Sequence, residues 1–360
     1  MGARGAAGSD HDSLDARSYC RAMLPRVSRT FALNIRVLPA PLQDVVLEAY
    51  LFCRMADTVE DSRRLDPARK AELLRDFATF FPWQDGVLER VQAWSSAFAG
   101  LETAGADHAL CAGAEQVFRA FAAEPPALRA PVEACVAEMA LGMREFALRR
   151  LASPQGALQL EDGADLERYC HVVAGTVGAM LVRLFAVTSP RLDEQRQRRL
   201  LSLAETFGRA MQLTNIVKDV AEDARVGACY VPRALAARYR LSPEALLDPR
   251  HRAQARQVVC ELVALAARSL DAAVAFTLLL PRREVRLRLF CLWPIFLAAG
   301  TLRRVLRDEA LFVPGARPRV GRNEVRRTLG TTTLAVLSDG AIRWLYGRRR
   351  VQLQAALAAR

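Results

Sequence analysis

The chain has 360 residues, 52% of them hydrophobic, enough to bury one large core or two ordinary ones. Ala, Leu and Arg dominate and β-branched alternation is missing, which points to an all-α protein. A formal net charge of +12 attracts anions, while eight scattered cysteines without a C-x-x-C pair and four dispersed histidines exclude a disulfide framework and a zinc cluster. The cysteines read as reduced thiols of a cytoplasmic protein. The arginines are dispersed without aromatic interleaving, so no nucleic-acid partner is expected.

In chain order, "MGARGAAGSDHD" lacks the apolar core of a signal peptide, and Ala6 breaks the myristoylation pattern. Residues 1–14 are expected to be unstructured, 15–330 to form one domain, and 331–360 a basic amphipathic segment. Helix-length runs follow, broken at 37–41 (VLPAP), 81–86, 122–131, 152–156, 188–191, 230–233, 246–252, 280–284 and 313–322. No Gly-rich loop follows a strand-like run, so a dinucleotide-binding fold has no support.

The early run "LFCRMADTVEDS" (51–62) places Asp57, Glu60 and Asp61 at helical spacing in otherwise apolar sequence. Like charges so spaced repel by about 0.2–0.5 kcal/mol per pair, and by more when buried. Next, "YCHVVAGTVGAMLVRLF" (169–185) carries Gly175 and Gly178 inside an apolar helical pattern. An interior glycine costs about 1 kcal/mol relative to alanine, which suggests close packing, a kink, or a ligand against backbone. Tyr169 heads this run as a polar group suited to the edge of an apolar cavity, while Cys170 and His171 suit packing and hydrogen bonding.

Residues 211–225, "MQLTNIVKDVAEDAR", repeat the D-x-x-E-D arrangement with Asp219, Glu222 and Asp223. Gln212, Asn215, Asp219 and Asp223 share one helical stripe, opposite Met211, Ile216, Val217 and Val220. Further on, Leu289–Leu302 is the most apolar run, but it is short and contains Pro294, so no transmembrane helix is expected. At the end, Trp344 and Tyr346 lie among Arg343 and Arg348, Arg349 and Arg350. That pattern suits either an interfacial helix on anionic lipid or a terminal helix with a solvated basic face.

A stripe of carboxylates and amides offers hard oxygen ligands, and Mg²⁺ is usually held by one or two carboxylates plus waters and substrate phosphates. Two such stripes facing one another would hold a small group of Mg²⁺ ions able to bind diphosphate. The alternative is a pair of solvated helix faces with salt bridges to an arginine-rich surface. Two copies of D-x-x-E-D, each beside a basic residue (Arg54, Lys218) and each in apolar surroundings, favour the metal reading.

Together, "SRTFALNIRVLP…YLFCRMADTVEDS", "YCHVVAGTVG" and "MQLTNIVKDVAEDA…YVP" resemble the squalene/phytoene synthase family in order and spacing, from about Tyr19 to Arg326. The resemblance implies an isoprenoid-synthase helical bundle around a central cavity. It implies head-to-head joining of two prenyl diphosphates through a cyclopropyl intermediate such as presqualene diphosphate. By it, Asp57, Asp61, Asp219 and Asp223 would bind Mg²⁺ and diphosphate, with Glu60 and Glu222 in support. Ser28, Arg29, Arg54, Gln212, Asn215, Lys218 and Tyr230 would line the substrate site, and Tyr169 would act as a base or cation stabiliser.

"DTVEDS" and the histidine of "YCHVVAG" lean toward the squalene branch. The segments "FCLWPIFLAAGTLRRVL" and "RVGRNEVRR" resemble the part linked with reduction, which implies NADPH. The expected activity is farnesyl diphosphate condensation to presqualene diphosphate and its reduction to squalene, at the cytoplasm or peripherally on the inner face of a membrane. Lys218 stands where the family usually has arginine, and Ala228 where another arginine is expected. A protein that stops at presqualene diphosphate, a non-reducing phytoene or dehydrosqualene synthase, and a catalytically silent relative in assembly or membrane binding are the competing readings.

Overall fold

The computed structural model describes residues 4–153, 156–313, 315 and 318–359, which are helical apart from turns and one two-residue strand pair. The chain divides into two compact units, one running to Leu148 with Arg183–Pro190 added, the other formed by Arg149–Val182 and the chain from Arg191 onward. The first unit holds α1 (Arg4–Val27), α2 (Arg29–Ile35), α3 (Leu42–Asp61), α4 (Pro67–Ala78), α5 (Val87–Ser95), α6 (Ala106–Ala112), α7 (Ala114–Ala122) and most of α8 (Pro126–Ala152). The second holds α9 (Gly163–Cys170), a π-turn (His171–Gly175), the start of α10 (Thr176–Thr188), and α11 (Glu194–Arg225). It continues with α12 (Arg233–Arg238), α13 (Arg252–Leu279), α14 (Val285–Arg307), α15 (Arg322–Ala335) and α16 (Asp339–Ala358).

The expected breaks fall between helices, with two instructive differences. Residues 1–3 lie outside the described residues, but from Arg4 the backbone is helical where the sequence suggested an unstructured lead-in. Helix α8 resumes at Pro126 and contains Pro131. Proline is at home in the first helical position, where no backbone donor is needed. Pro131, one turn further in, forfeits a single bond, which the apolar packing of this long helix tolerates.

In the first unit, an aromatic core grips one face of α3. Phe52 is fully buried, with its ring 4.7 Å from Phe118, 5.2 Å from Phe121 and 5.3 Å from Phe81. Phe77, Phe80 and Trp94 extend the cluster, and the Trp94 indole donates to the Leu73 carbonyl at 3.0 Å. Such edge-to-face contacts add about 0.5–1.5 kcal/mol per pair beyond area burial.

In the second unit, α11 packs against α13, α14 and the π-turn. Two glycines allow its close approach to the 170s. A Cβ on Gly178 would lie 2.2 Å from the Ala204 carbonyl oxygen, and one on Gly208 the same distance from that of Ala174. Close packing therefore explains Gly178, and the π-turn lies just ahead of it.

The apolar run Leu289–Leu302 corrects a sequence expectation. It lies wholly inside the 23-residue α14, with Pro294 accommodated in the helix. Three helical stretches, Gly163–Thr188, Pro249–Leu279 and Val285–Arg307, are long and apolar enough to cross a membrane by length and composition. Of their most apolar windows, 50%, 56% and 72% are buried against the protein, so these faces already serve the core.

Helix α16 is docked through ion pairs rather than by apolar contact alone. Arg288 is fully buried and donates to Asp339 in the first turn of α16, which Arg282 also binds. Tyr346 donates to Asp271 at 2.7 Å, joined by Arg350, while Arg349 binds Glu324. Trp344 remains 60% exposed, with the Arg348 guanidinium 5.0 Å from its ring centre. Removing one partner of a buried ion pair strands the other charge. Asp339→Asn, which strands Arg288, is therefore expected to cost about 3 kcal/mol, and Arg288→Met clearly less. Urea midpoints of the two variants check this, and equal losses would contradict it.

Candidate active site

The buried face of α3, with Leu51, Phe52, Met55, Ala56 and Val59, turns the other face outward. That face carries Tyr50, Arg54, Asp57 and Asp61, each close to one turn from the next. Arg54 donates from Nε and Nη2 to the two carboxylate oxygens of Asp107 on α6, both at 2.9 Å. A cavity of about 310 Å³ opens here, lined by Arg54, Asp61, Arg63, Arg64, Asp107 and His108 among others. Ser28 caps α2, accepting from the Phe31 amide at 3.2 Å, and hydrogen-bonds with the Tyr50 hydroxyl. The Tyr50 ring stacks on Phe31 at 4.9 Å, and Arg29 is exposed beside the cap.

Charge stress is concentrated on this stripe. Burial, reinforced by Asp61 and Asp107 and only partly offset by Arg54, pushes the Asp57 carboxyl up to about 7. Burial likewise pushes the Tyr50 hydroxyl up to about 12. Glu60 is half-buried at the end of α3, where the Lys70 ammonium binds its backbone carbonyl. A cation there also suits the negative end of the helix dipole.

On the second unit, α11 buries Leu213, Ile216, Val217 and Val220, and presents Gln212, Asn215, Asp219 and Asp223 on one stripe. Met211, expected on the buried face, is only half-buried. Lys218 lies 2.9 Å from an Asp219 oxygen and donates to the Asn215 side chain at 3.3 Å. Glu222 is engaged by Arg225 one turn further along the helix. Asp223 flanks a narrow crevice with Ile216, Val220, Cys229 and Tyr230. Tyr230 stacks on Tyr169, ring centres 4.4 Å apart and planes at 23°. Tyr169 is buried at the end of α9, immediately before Cys170 and the π-turn. Cys170 is buried and the His171 ring nitrogen meets Glu205 at 3.2 Å, the packing and bonding roles expected of them.

A short parallel ladder sets Tyr230. Strand β1 (Leu158–Gln159) pairs with β2 (Ala228–Cys229), Leu158 opposite Ala228. The Gln159 amide donates to the Val231 carbonyl at 2.8 Å, and Gly227 takes the left-handed conformation at φ 73° that the turn out of α11 requires. Arg150 binds the carbonyls of Gly156 and Val226 across this turn. Ala228 is buried, so an arginine at this position would have to bury its charge.

The carboxylates fit magnesium in its usual form. Among the described residues, no three His, Cys, Asp or Glu side chains form a complete metal cage. Each stripe instead brings two aspartates one turn apart, the donor number Mg²⁺ takes when waters and substrate phosphates complete its shell.

Three neighbours escaped the sequence reading. Tyr50 was open to it, since extending the Asp61, Asp57, Arg54 stripe back one turn reaches it. Asp107 and His108 were not, because only tertiary packing brings α6 to α3: His108 meets the Ser62 hydroxyl at 3.3 Å.

Because Asp57 holds its proton up to about 7 when folded, against an ordinary 3.8, folding takes up a proton between those values. Without divalent cations, the Asp57 contribution therefore lowers stability as pH rises from about 4 to about 7, and Asp57→Asn should remove that slope. Urea midpoints near the two ends of the window test this, and an unchanged slope in the variant would refute it.

Residues 24–324 match the squalene/phytoene synthase family. The squalene synthase of Schizosaccharomyces pombe is 28% identical over 303 residues, covering 84% of this chain and 62% of that protein. That of Homo sapiens is 26% identical over 317 residues, covering 87% and 69%. The complex of TcSQS with the ligand E5700 superposes with a TM-score of 0.74 at 25% identity, over 96% of this chain and 98% of that one. This chain thus spans 62% of the length of its fission-yeast relative. The all-α isoprenoid-synthase fold and the ordered acidic stripes converge with a match over most of the sequence: the chain belongs to the squalene/phytoene synthase family.

Proposed function

We propose that this chain condenses two farnesyl diphosphates head to head to presqualene diphosphate and, with NADPH, reduces that product to squalene. The observation that carries the reading is the pair of aspartates on each stripe, Asp57 with Asp61 and Asp219 with Asp223, each backed by a buried apolar face in a chain of this family. The reaction breaks the carbon–oxygen bond of an allylic diphosphate, so negative charge accumulates on the leaving group while a carbocation forms. Magnesium, when bound, neutralises the departing diphosphate.

The four aspartates would hold the metal, with Glu60 and Glu222 supporting them. Arg29, Arg54 and Lys218 offer positive charge to diphosphate oxygens, and Ser28, Gln212 and Asn215 offer hydrogen bonds. The stacked rings of Tyr169 and Tyr230 put aromatic surface next to Asp223, where ring faces favour a cation and the Tyr169 hydroxyl can take or return a proton. The exposed Trp344 and Arg348 of α16 suit peripheral contact with the membrane into which substrate tails and product partition.

A second reading, in which the chain ends at presqualene diphosphate or makes a non-reduced hydrocarbon, is favoured by two positions. Lys218 keeps charge without the planar fork of arginine, and Ala228 is buried and contributes no cation. Incubation with farnesyl diphosphate and Mg²⁺, with and without NADPH, followed by mass spectrometry of the extract, separates the readings. Squalene only with NADPH is the expected result, while presqualene diphosphate or dehydrosqualene regardless of NADPH supports the second reading. Asp57→Asn and Asp219→Asn are each expected to lower turnover by on the order of a hundredfold or more. Full activity in either variant would refute the assigned role.

A further inference from the structure

We infer that Asp107 is a positioning residue that orients the Arg54 guanidinium toward bound diphosphate, an inference that rests on the proposed prenyl-diphosphate chemistry. Arg54 lies on the acidic stripe of α3, one turn before Asp57. Its Nε and Nη2 each donate to a different Asp107 oxygen at 2.9 Å. This fork fixes the guanidinium plane, and the N–H groups it leaves unused stay available to a ligand in the adjoining cavity. An unrestrained arginine must lose rotamer freedom to grip a ligand, and here much of that freedom is already lost.

Asp107 is itself well anchored. It occupies the first turn of α6, where a carboxylate meets the positive end of the helix. The next residue, His108, meets Ser62 just past the end of α3, and the Cys111 thiol reaches the Met55 carbonyl at 3.9 Å. With the Arg54 fork, three links thus hold α6 along α3, at Arg54, Met55 and Ser62.

Stability is a poor account of the pair. The side chains of Arg54 and Asp107 are 30% and 37% exposed, and solvated ion pairs contribute little to folding. The effect of removing the carboxylate should therefore appear in ligand affinity rather than in folding.

The test uses inorganic diphosphate with Mg²⁺ as the probe, calorimetry as the binding readout, and thermal unfolding alongside. Asp107→Asn is expected to weaken diphosphate binding about tenfold, with the melting temperature within about two degrees of the parent, and Asp107→Glu to recover most of the affinity. In an Arg54→Lys background, where no fork exists to orient, Asp107→Asn should have no further effect. Unchanged or tighter binding in Asp107→Asn, an equal further loss in the Arg54→Lys background, or a loss that tracks a large drop in melting temperature each overturns the inference. Normal binding in Asp107→Asn alongside abolished binding in Asp57→Asn removes the positioning role alone. A parent protein that binds no diphosphate removes the reaction proposed above as well.

Discussion

Carboxylates one helical turn apart repel one another, and the repulsion grows as water is withdrawn from them. Helix α3 cannot relieve this by rotating. Turning the half-buried Asp57 further toward bulk water would pull Phe52 out of its contacts with Phe81, Phe118 and Phe121. Burying such a side chain is worth about 1.5–3 kcal/mol, against a few tenths for each charge pair. The aromatic core wins, and the charge stress is left at the site, visible as an Asp57 carboxyl that prefers to keep its proton. A bound cation is the natural relief for such stress.

Much of this was legible in the sequence because helical periodicity and short acidic repeats are local signals. The offsets of Gln212, Asn215, Asp219 and Asp223 defined their stripe without any tertiary information, and burial of Ile216, Val217 and Val220 behind it follows the same arithmetic. The partners were hidden for the opposite reason. Asp107 is fifty-three residues from Arg54, and nothing in its own surroundings marks it as a site residue. The breaks at 280–284 and 313–322 bracket α14, which runs through Pro294 because a helix buried over most of its length holds its shape with one backbone bond missing.

The glycines of the 170s show how a local oddity can have two causes at once. Gly178 and Gly208 let backbones pass at distances no side chain would permit, and the π-turn that meets Gly208 shifts the register of the helix that follows. Tyr169 sits at the last helical turn before that shift, buried and with its ring stacked on Tyr230. A tyrosine held this firmly, in face-to-face contact with Tyr230, is poorly free to follow a ligand and well suited to present a fixed surface to one.

The two-residue ladder of β1 and β2 carries a consequence for how the loops flanking α9 and α11 can change. Successive strand residues face opposite sides, so an insertion or deletion of one residue that slips the Leu158–Ala228 pairing reverses everything carried on that stretch. Tyr230 would then point away from Tyr169, although no helix had changed and no side chain had been replaced. Length variation in the 226–227 turn is therefore constrained by parity, with changes that keep the pairing in step far better tolerated than single-residue ones.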